Sequence, residues 1–253
     1  VRIVAPLLSI ALFLYAGACI ALFVFQRSLI YFPQLRAFGS QADTLILPAD
    51  GADLFVSVRT HTGPKALIYF GGNAEDVSAS LSSFSSAFPG HAIYLLHYRG
   101  YGGSSGTPSE ELLHLDAIAL FDKVHRDHPE IALVGRSLGS GVAVRLATQR
   151  PASRLVLVTP YDSIQEIAAK QFPYFPVRWL LTDKFESSRY APAIRVPTLL
   201  LQAENDEVIP RASTERLNAT FAKGVASLVI IGGVGHNTIS NAAQYLDAMR
   251  AAL

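Results

Sequence analysis

The chain has 253 residues, a single cysteine and a formal charge of +1. A balanced charge gives no long-range pull on nucleic acid, and one cysteine excludes an internal disulfide. The length allows one domain of ordinary size plus an appendage, and the mean hydropathy of +0.30 is high for a soluble protein.

The excess hydropathy is local. From Ile3 to Phe25 no residue carries a charge. As a helix this run is about 34 Å long, against a bilayer core of about 30 Å. Arg2 and Arg27 bracket it, and Tyr31 and Phe32 suit a membrane interface. A cleaved signal has a shorter apolar region, roughly 7–15 residues. Ala16-Gly17-Ala18-Cys19 loosely resembles a lipoprotein signal, but the apolar run continues beyond Cys19. A buried core helix would be amphipathic. The reading is therefore a single-pass membrane anchor over residues 1–26, a linker over 27–43 and a catalytic domain over 44–253. Positive charge is similar on both flanks, so it does not set the orientation.

Strands and helices then alternate. Leu45–Leu47 and Leu54–Val58 flank the turn Ala49-Asp50-Gly51-Ala52, as a hairpin does. Short continuous apolar runs follow at Ala66–Phe70, Ala92–Leu96, Ile131–Val134, Leu155–Val158, Thr198–Leu201 and Leu228–Ile231. Such runs suit strands buried on both faces of a mostly parallel sheet, with helices on either side. Thr107-Pro108-Ser109-Glu110 offers a helix start with a cap, a first-turn proline and a capping-box glutamate. Residues 161–197 are irregular and rich in proline and aromatics, and form either a small cap over the sheet edge or a packed crossover.

The chemistry centres on Gly135-Arg136-Ser137-Leu138-Gly139, between the run Ile131–Val134 and a helix-compatible stretch. A serine between two glycines at a strand-to-helix junction is the arrangement of a nucleophile elbow. The hydroxyl needs a base, and the base an orienting acid. Of seven histidines, only His236 follows the last strand, on the loop Gly232-Gly233-Val234-Gly235-His236-Asn237. Asp206 directly follows the strand at Thr198–Leu201. Glu204 and Glu207 beside it read as solvated, and Asp162 and Asp183 fall in the irregular region. An oxyanion needs preorganised N–H donors. The backbone of Leu138 supplies one, and Asn73, in Gly71-Gly72-Asn73-Ala74 after a strand, supplies the other, with Gly72 as the alternative. His125 and His128 resemble a metal pair but end a helix with no third ligand nearby. Gly100–Gly106 reads as a tight loop near the site. No metal or organic cofactor is expected.

Together these motifs resemble the α/β-hydrolase superfamily, specifically its Bem46-like membrane-anchored serine hydrolases, which include ABHD17-like depalmitoylating enzymes and ABHD13-like proteins. The resemblance covers nearly the whole chain. It rests on Gln26–Pro33, Tyr69–Ala74, Tyr98–Gly102, Gly135–Gly141, Pro160–Ser163 and the acid and base loops. Two positions depart from that pattern: Gly71 stands where the family usually has histidine, and His97 where it often has aspartate. The resemblance implies an α/β-hydrolase fold, a Ser137–His236–Asp206 triad and acyl ester or thioester substrates on lipids or proteins. The rival readings are a serine peptidase and a non-catalytic tethered binding protein.

Overall fold

The computed structural model describes residues 4–37 and 43–253. Arg2 and the middle of the expected linker lie outside them. The chain opens with helix α1 (Val4–Ile30). Its most apolar window has a mean hydropathy of 2.5 and contains no buried residue. The helix runs past the expected anchor end at residue 26, because its last turn finds partners in the domain. Gln26 donates to the Leu180 carbonyl at 3.2 Å and accepts from the Thr182 N–H at 2.7 Å. Arg27 pairs with Asp183 at 3.1 Å, and the buried Tyr31 hydroxyl donates to the same carboxylate at 3.0 Å. Burial and the Asp183 carboxylate both push the Tyr31 phenol far up, so it stays a donor. The first part of the expected linker is thus docked structure.

Eight strands form one sheet in the order β1-β2-β4-β3-β5-β6-β7-β8. They are β1 (Thr44–Ala49), β2 (Ala52–Arg59), β3 (Lys65–Phe70), β4 (Ala92–Leu96), β5 (Glu130–Arg136), β6 (Arg154–Val158), β7 (Thr198–Ala203) and β8 (Ala226–Ile231). The β1–β2 hairpin turns at Gly51, whose φ of +69° favours glycine. The β2–β4 pair is also antiparallel, and all remaining pairs are parallel.

The longer helices are α2 (Leu81–Ala87), α3 (Glu110–His125), α4 (Leu138–Ala147), α5 (Ile164–Gln171), α8 (Arg211–Thr220) and α9 (Ala243–Ala252), with two short ones, α6 (Val177–Leu180) and α7 (Ser187–Tyr190). In β3, Ile68 and Phe70 join one core cluster, with Leu120 and Val142 of α3 and α4. Leu67 and Tyr69 join the other, with Phe84 and Met249 of α2 and α9. Both faces are dry, which is why these strands read as continuous apolar runs rather than alternating ones. Truncating a central residue such as Leu133 to alanine costs about 2–5 kcal/mol. Helix α3 starts two residues later than its sequence signal suggests: Ser109 is the cap, accepting from the Leu112 N–H. Glu110 instead accepts from the Lys184 N–H at 2.6 Å, holding the end of the irregular segment.

His97, one of the two departures from the family pattern, is buried after β4, 2.9 Å from the Ser57 hydroxyl. Burial pushes its imidazole down to about 4; Asp76 opposes the shift and Arg36 adds to it. The ring is neutral in the native state, whereas in the unfolded chain it titrates near 6.5. Its contribution is intact above pH 6.5 and is lost as pH falls toward 4, by about 3 kcal/mol. Denaturation in detergent across this range should show wild type losing that much more stability than His97→Gln; equal losses would contradict the assignment.

Candidate active site

Strand β5 runs to Arg136 and α4 begins at Leu138, leaving one residue for the reversal. That residue, Ser137, has φ +47° and ψ −116°. A non-glycine residue there is strained by roughly 1–3 kcal/mol. The frame holds it: the Ser137 N–H donates to the Val158 carbonyl at 2.8 Å, and the Gly139 N–H to the Gly71 carbonyl at 3.1 Å. A Cβ on Gly139 would be driven into the Phe70 carbonyl. One on Gly135 would stand 2.8 Å from the Ala143 Cβ.

The turn aims the Ser137 hydroxyl at His236, whose Nε2 lies 3.0 Å away. The Nδ1 of His236 is 3.0 Å from both carboxylate oxygens of Asp206. The Val208 and Ile209 N–H groups donate to Asp206 Oδ1 at 2.9 and 2.7 Å, fixing the acid. The two side chains are nearly dry, at 7% and 3% exposure. With Asp206 as acceptor, Nδ1 carries the proton and Nε2 is free to accept from serine. Ser137, Asp206 and His236 are thus brought together, from loops after three different strands. Asp162 is held by Ser213 and Arg216, and Asp183 by Arg27 and Tyr31, so neither faces His236. Nδ1 of His128 faces the Gly63 carbonyl at 2.8 Å.

The Leu138 N–H lies at the first position of α4, where helix amides lack intrahelical partners. Across from it, the loop after β3 presses on the serine: a Cβ on Gly72 would sit 3.5 Å from the Ser137 Cβ. The Gly72 N–H is taken by Glu75 at 2.6 Å, whereas the Asn73 N–H has no acceptor among the described residues. The Asn73 side chain is fully engaged. It donates to the Ile30 carbonyl at 2.6 Å and accepts from the Phe32 N–H and the Tyr101 hydroxyl at 2.9 and 2.8 Å. Through Tyr101 the glycine-rich loop borders the site, as expected. At Gly71, where the family pattern has histidine, any Cβ would collide with Val77.

Four charged residues that sequence reasoning left out of the site lie around it. Glu75 accepts from Gly72 and from the Tyr69 hydroxyl, at 2.7 Å for the latter, and lies 3.5 Å from Arg136. Arg136 also reaches the His236 carbonyl at 3.3 Å. Glu207, expected to be solvated, accepts from the His236 N–H at 3.0 Å, and Glu204 from the Gly233 N–H at 2.7 Å. Arginine inside a tight elbow, and glutamate three residues past a Gly-Gly pair, were the available signals. Beside Ser137 opens a cavity of about 310 Å³, walled by Leu22 and Leu29 of α1, by Ile164 and Phe172 of the irregular segment, and by Ile209. Among the described residues, no carboxylate or cationic side chain lines it.

A family model described as serine aminopeptidase, S33, matches residues 84–190. An uncharacterized protein of Mycobacterium tuberculosis, Rv2307c, is 35% identical over 267 residues, covering 97% of this chain and 93% of that protein. The lysophosphatidylserine lipase ABHD12 of Mus musculus is 34% identical over 170 residues, 57% of this chain and 42% of that protein. Among solved structures, the esterase Pf2001 of Pyrococcus furiosus superposes with a TM-score of 0.69 at 14% identity, covering 88% of this chain and 97% of that one. Est1E of Butyrivibrio proteoclasticus, with ferulic acid bound, gives 0.66 at 15% identity, covering 82% and 95%.

Glu75 touches no reacting atom but positions the loop that carries Asn73. Glu75→Ala should lower kcat by about 10²-fold, the order expected when a donor is misplaced, with little change in KM. Glu75→Gln, which keeps an acceptor for Gly72, should recover part of the loss. Steady-state kinetics on a soluble ester reads this; a change in KM alone would contradict it.

Proposed function

The chain belongs to the α/β-hydrolase superfamily, and from that membership we propose that it cleaves carboxylic esters or thioesters through a covalent acyl-enzyme while tethered to a membrane by α1. The observation that carries this reading is the hydrogen-bonded series Ser137–His236–Asp206 at the wall of an apolar cavity. His236 Nε2 takes the Ser137 proton as Oγ attacks the acyl carbon. Charge gathers on the former carbonyl oxygen, where the N–H groups of Leu138 and Asn73 would receive it. The tetrahedral adduct collapses, His236 protonates the departing alcohol or thiol, and the acyl group stays on Ser137. Water activated by the same imidazole then releases the acid. None of these steps calls on a metal or organic cofactor.

The apolar lining favours acyl groups of lipids or acylated proteins. A peptidase reading draws on the family model's description. An aminopeptidase must bind a substrate ammonium group, and a desolvated cation needs a partner carboxylate, which this cavity lacks. Retention of α1 is supported by its contacts: removing it would open one wall of the cavity and strip Asp183 of Arg27.

A fluorophosphonate probe should label wild type and not Ser137→Ala, and that substitution should lower kcat on a p-nitrophenyl ester by about 10⁶-fold. An aminoacyl p-nitroanilide should not be turned over. A folded but unlabelled wild type would overturn the reading and leave a tethered binding protein.

A further inference from the structure

Helix α1 does more than end near the site. Tyr15, Ala18, Leu22, Gln26 and Ile30 recur every three or four residues, so they share one face, and that face meets the irregular segment. The Tyr15 ring stacks on Phe175 at 5.7 Å, and its hydroxyl donates to the Tyr174 carbonyl at 2.8 Å. Between these elements lies a second cavity of about 380 Å³, lined by Ala18, Ala21 and Phe25 and by four residues it shares with the cavity at Ser137. The shared residues are Leu22, Leu29, Phe172 and Phe175. These four residues form a common wall of the two spaces. From Ile30 back to Ala18 the helix rises about 18 Å, so together they follow α1 for most of the length of a long acyl chain. Among the described residues, the outer space has no polar side chain in its lining. The amide of Gln26, the polar group on α1 facing the inner one, is engaged by Phe23, Leu180 and Thr182. Beside this opening Tyr174 and Trp179 stand 85% and 89% exposed. Exposed aromatics next to a membrane-length helix suit the interfacial layer.

We propose that α1 is a wall of the substrate site, and that a long-chain lipid ester enters laterally from the bilayer between α1 and the segment Phe172–Leu180. Its acyl chain slides from the outer cavity past Leu22 and Phe175 until the ester carbonyl meets Ser137. The chain stays in apolar surroundings throughout, so extraction from the membrane costs little hydrophobic free energy. Ala18 and Ala21 leave the room the chain occupies. This inference rests on the ester-hydrolase reading and names its substrate as a membrane-resident lipid.

The test uses the full chain in vesicles of non-hydrolysable ether phospholipid. The substrates are an oleoyl glycerol ester in the membrane, an S-oleoyl cysteinyl peptide bound to the same vesicles, and soluble p-nitrophenyl butyrate. Ala21→Trp and Ala18→Trp fill the outer cavity, while Ile20→Trp, on the opposite face and 64% exposed, is the control. Each filled variant should lower the oleoyl-to-butyrate ratio of kcat/KM by about tenfold, the equivalent of roughly two methylenes no longer buried. Ile20→Trp should leave the ratio in place, and fluorophosphonate labelling should confirm that every variant is folded. Equal ratios in the filled and control variants would overturn the lateral route. Cleavage of the peptide thioester with the glycerol ester spared would overturn the lipid assignment. If wild type cleaves nothing and is not labelled, the ester-hydrolase reading itself fails, which is a separate result.

Discussion

A serine at φ +47° keeps that conformation only if the strand before it and the helix after it cannot relax. Here the strand side is fixed in the middle of the sheet, where Gly135 pairs with Phe70 on one side and Leu157 on the other. On the helix side Gly139 packs so closely against the end of β3 that no side chain fits. The Ser137 amide is tied to β6, and the Gly139 amide to the loop after β3. These constraints place Ser137, the loop that carries Asn73 and the loops of Asp206 and His236 along one edge of the sheet. Glu75 and Arg136 bind that edge together, the first through Gly72 and the second through the His236 carbonyl.

The same edge receives the end of the long apolar helix. The Asn73 amide bridges the Ile30 carbonyl and the Phe32 N–H, so the loop beside Ser137 and the end of α1 share one hydrogen-bonded joint. Arg27 and Tyr31 converge on Asp183, and Gln26 spans Leu180 and Thr182. A flexible tether would need none of these bonds. Their presence makes the orientation of Ser137 relative to α1 a property of the fold.

Much of this was legible in the sequence for a physical reason. The parallel strands are dry on both faces, so each appears as an apolar run, and Ser137, Asp206 and His236 follow such runs directly. The juxtaposition of Ser137, Asp206 and His236 was therefore readable from the serine between two glycines, the glycine-rich loop after the last strand and the order of the strands they follow. What pattern reading missed depends on contacts between segments distant in sequence. Residues 27–37 read as a linker because the partners of Arg27 and Tyr31 lie more than 150 positions away. Glu207 read as solvated because its acceptor role depends on how the His236 loop folds back. The helix signal at Thr107–Glu110 was right in kind and shifted in place, since Glu110 serves the backbone of Lys184 rather than its own helix start. The irregular segment had no periodicity to reveal that its apolar residues wall the cavity beside Ser137.

In the proposed reaction Ser137 carries the acyl group between the two half-reactions. Rapid quenching with a slowly released aryl ester, followed by intact mass and peptide mapping, tests it most directly. The account predicts one added acyl mass, located on the peptide that contains Ser137 and chased away with time. Turnover of the ester with no adduct, or with the adduct on another residue, would contradict it.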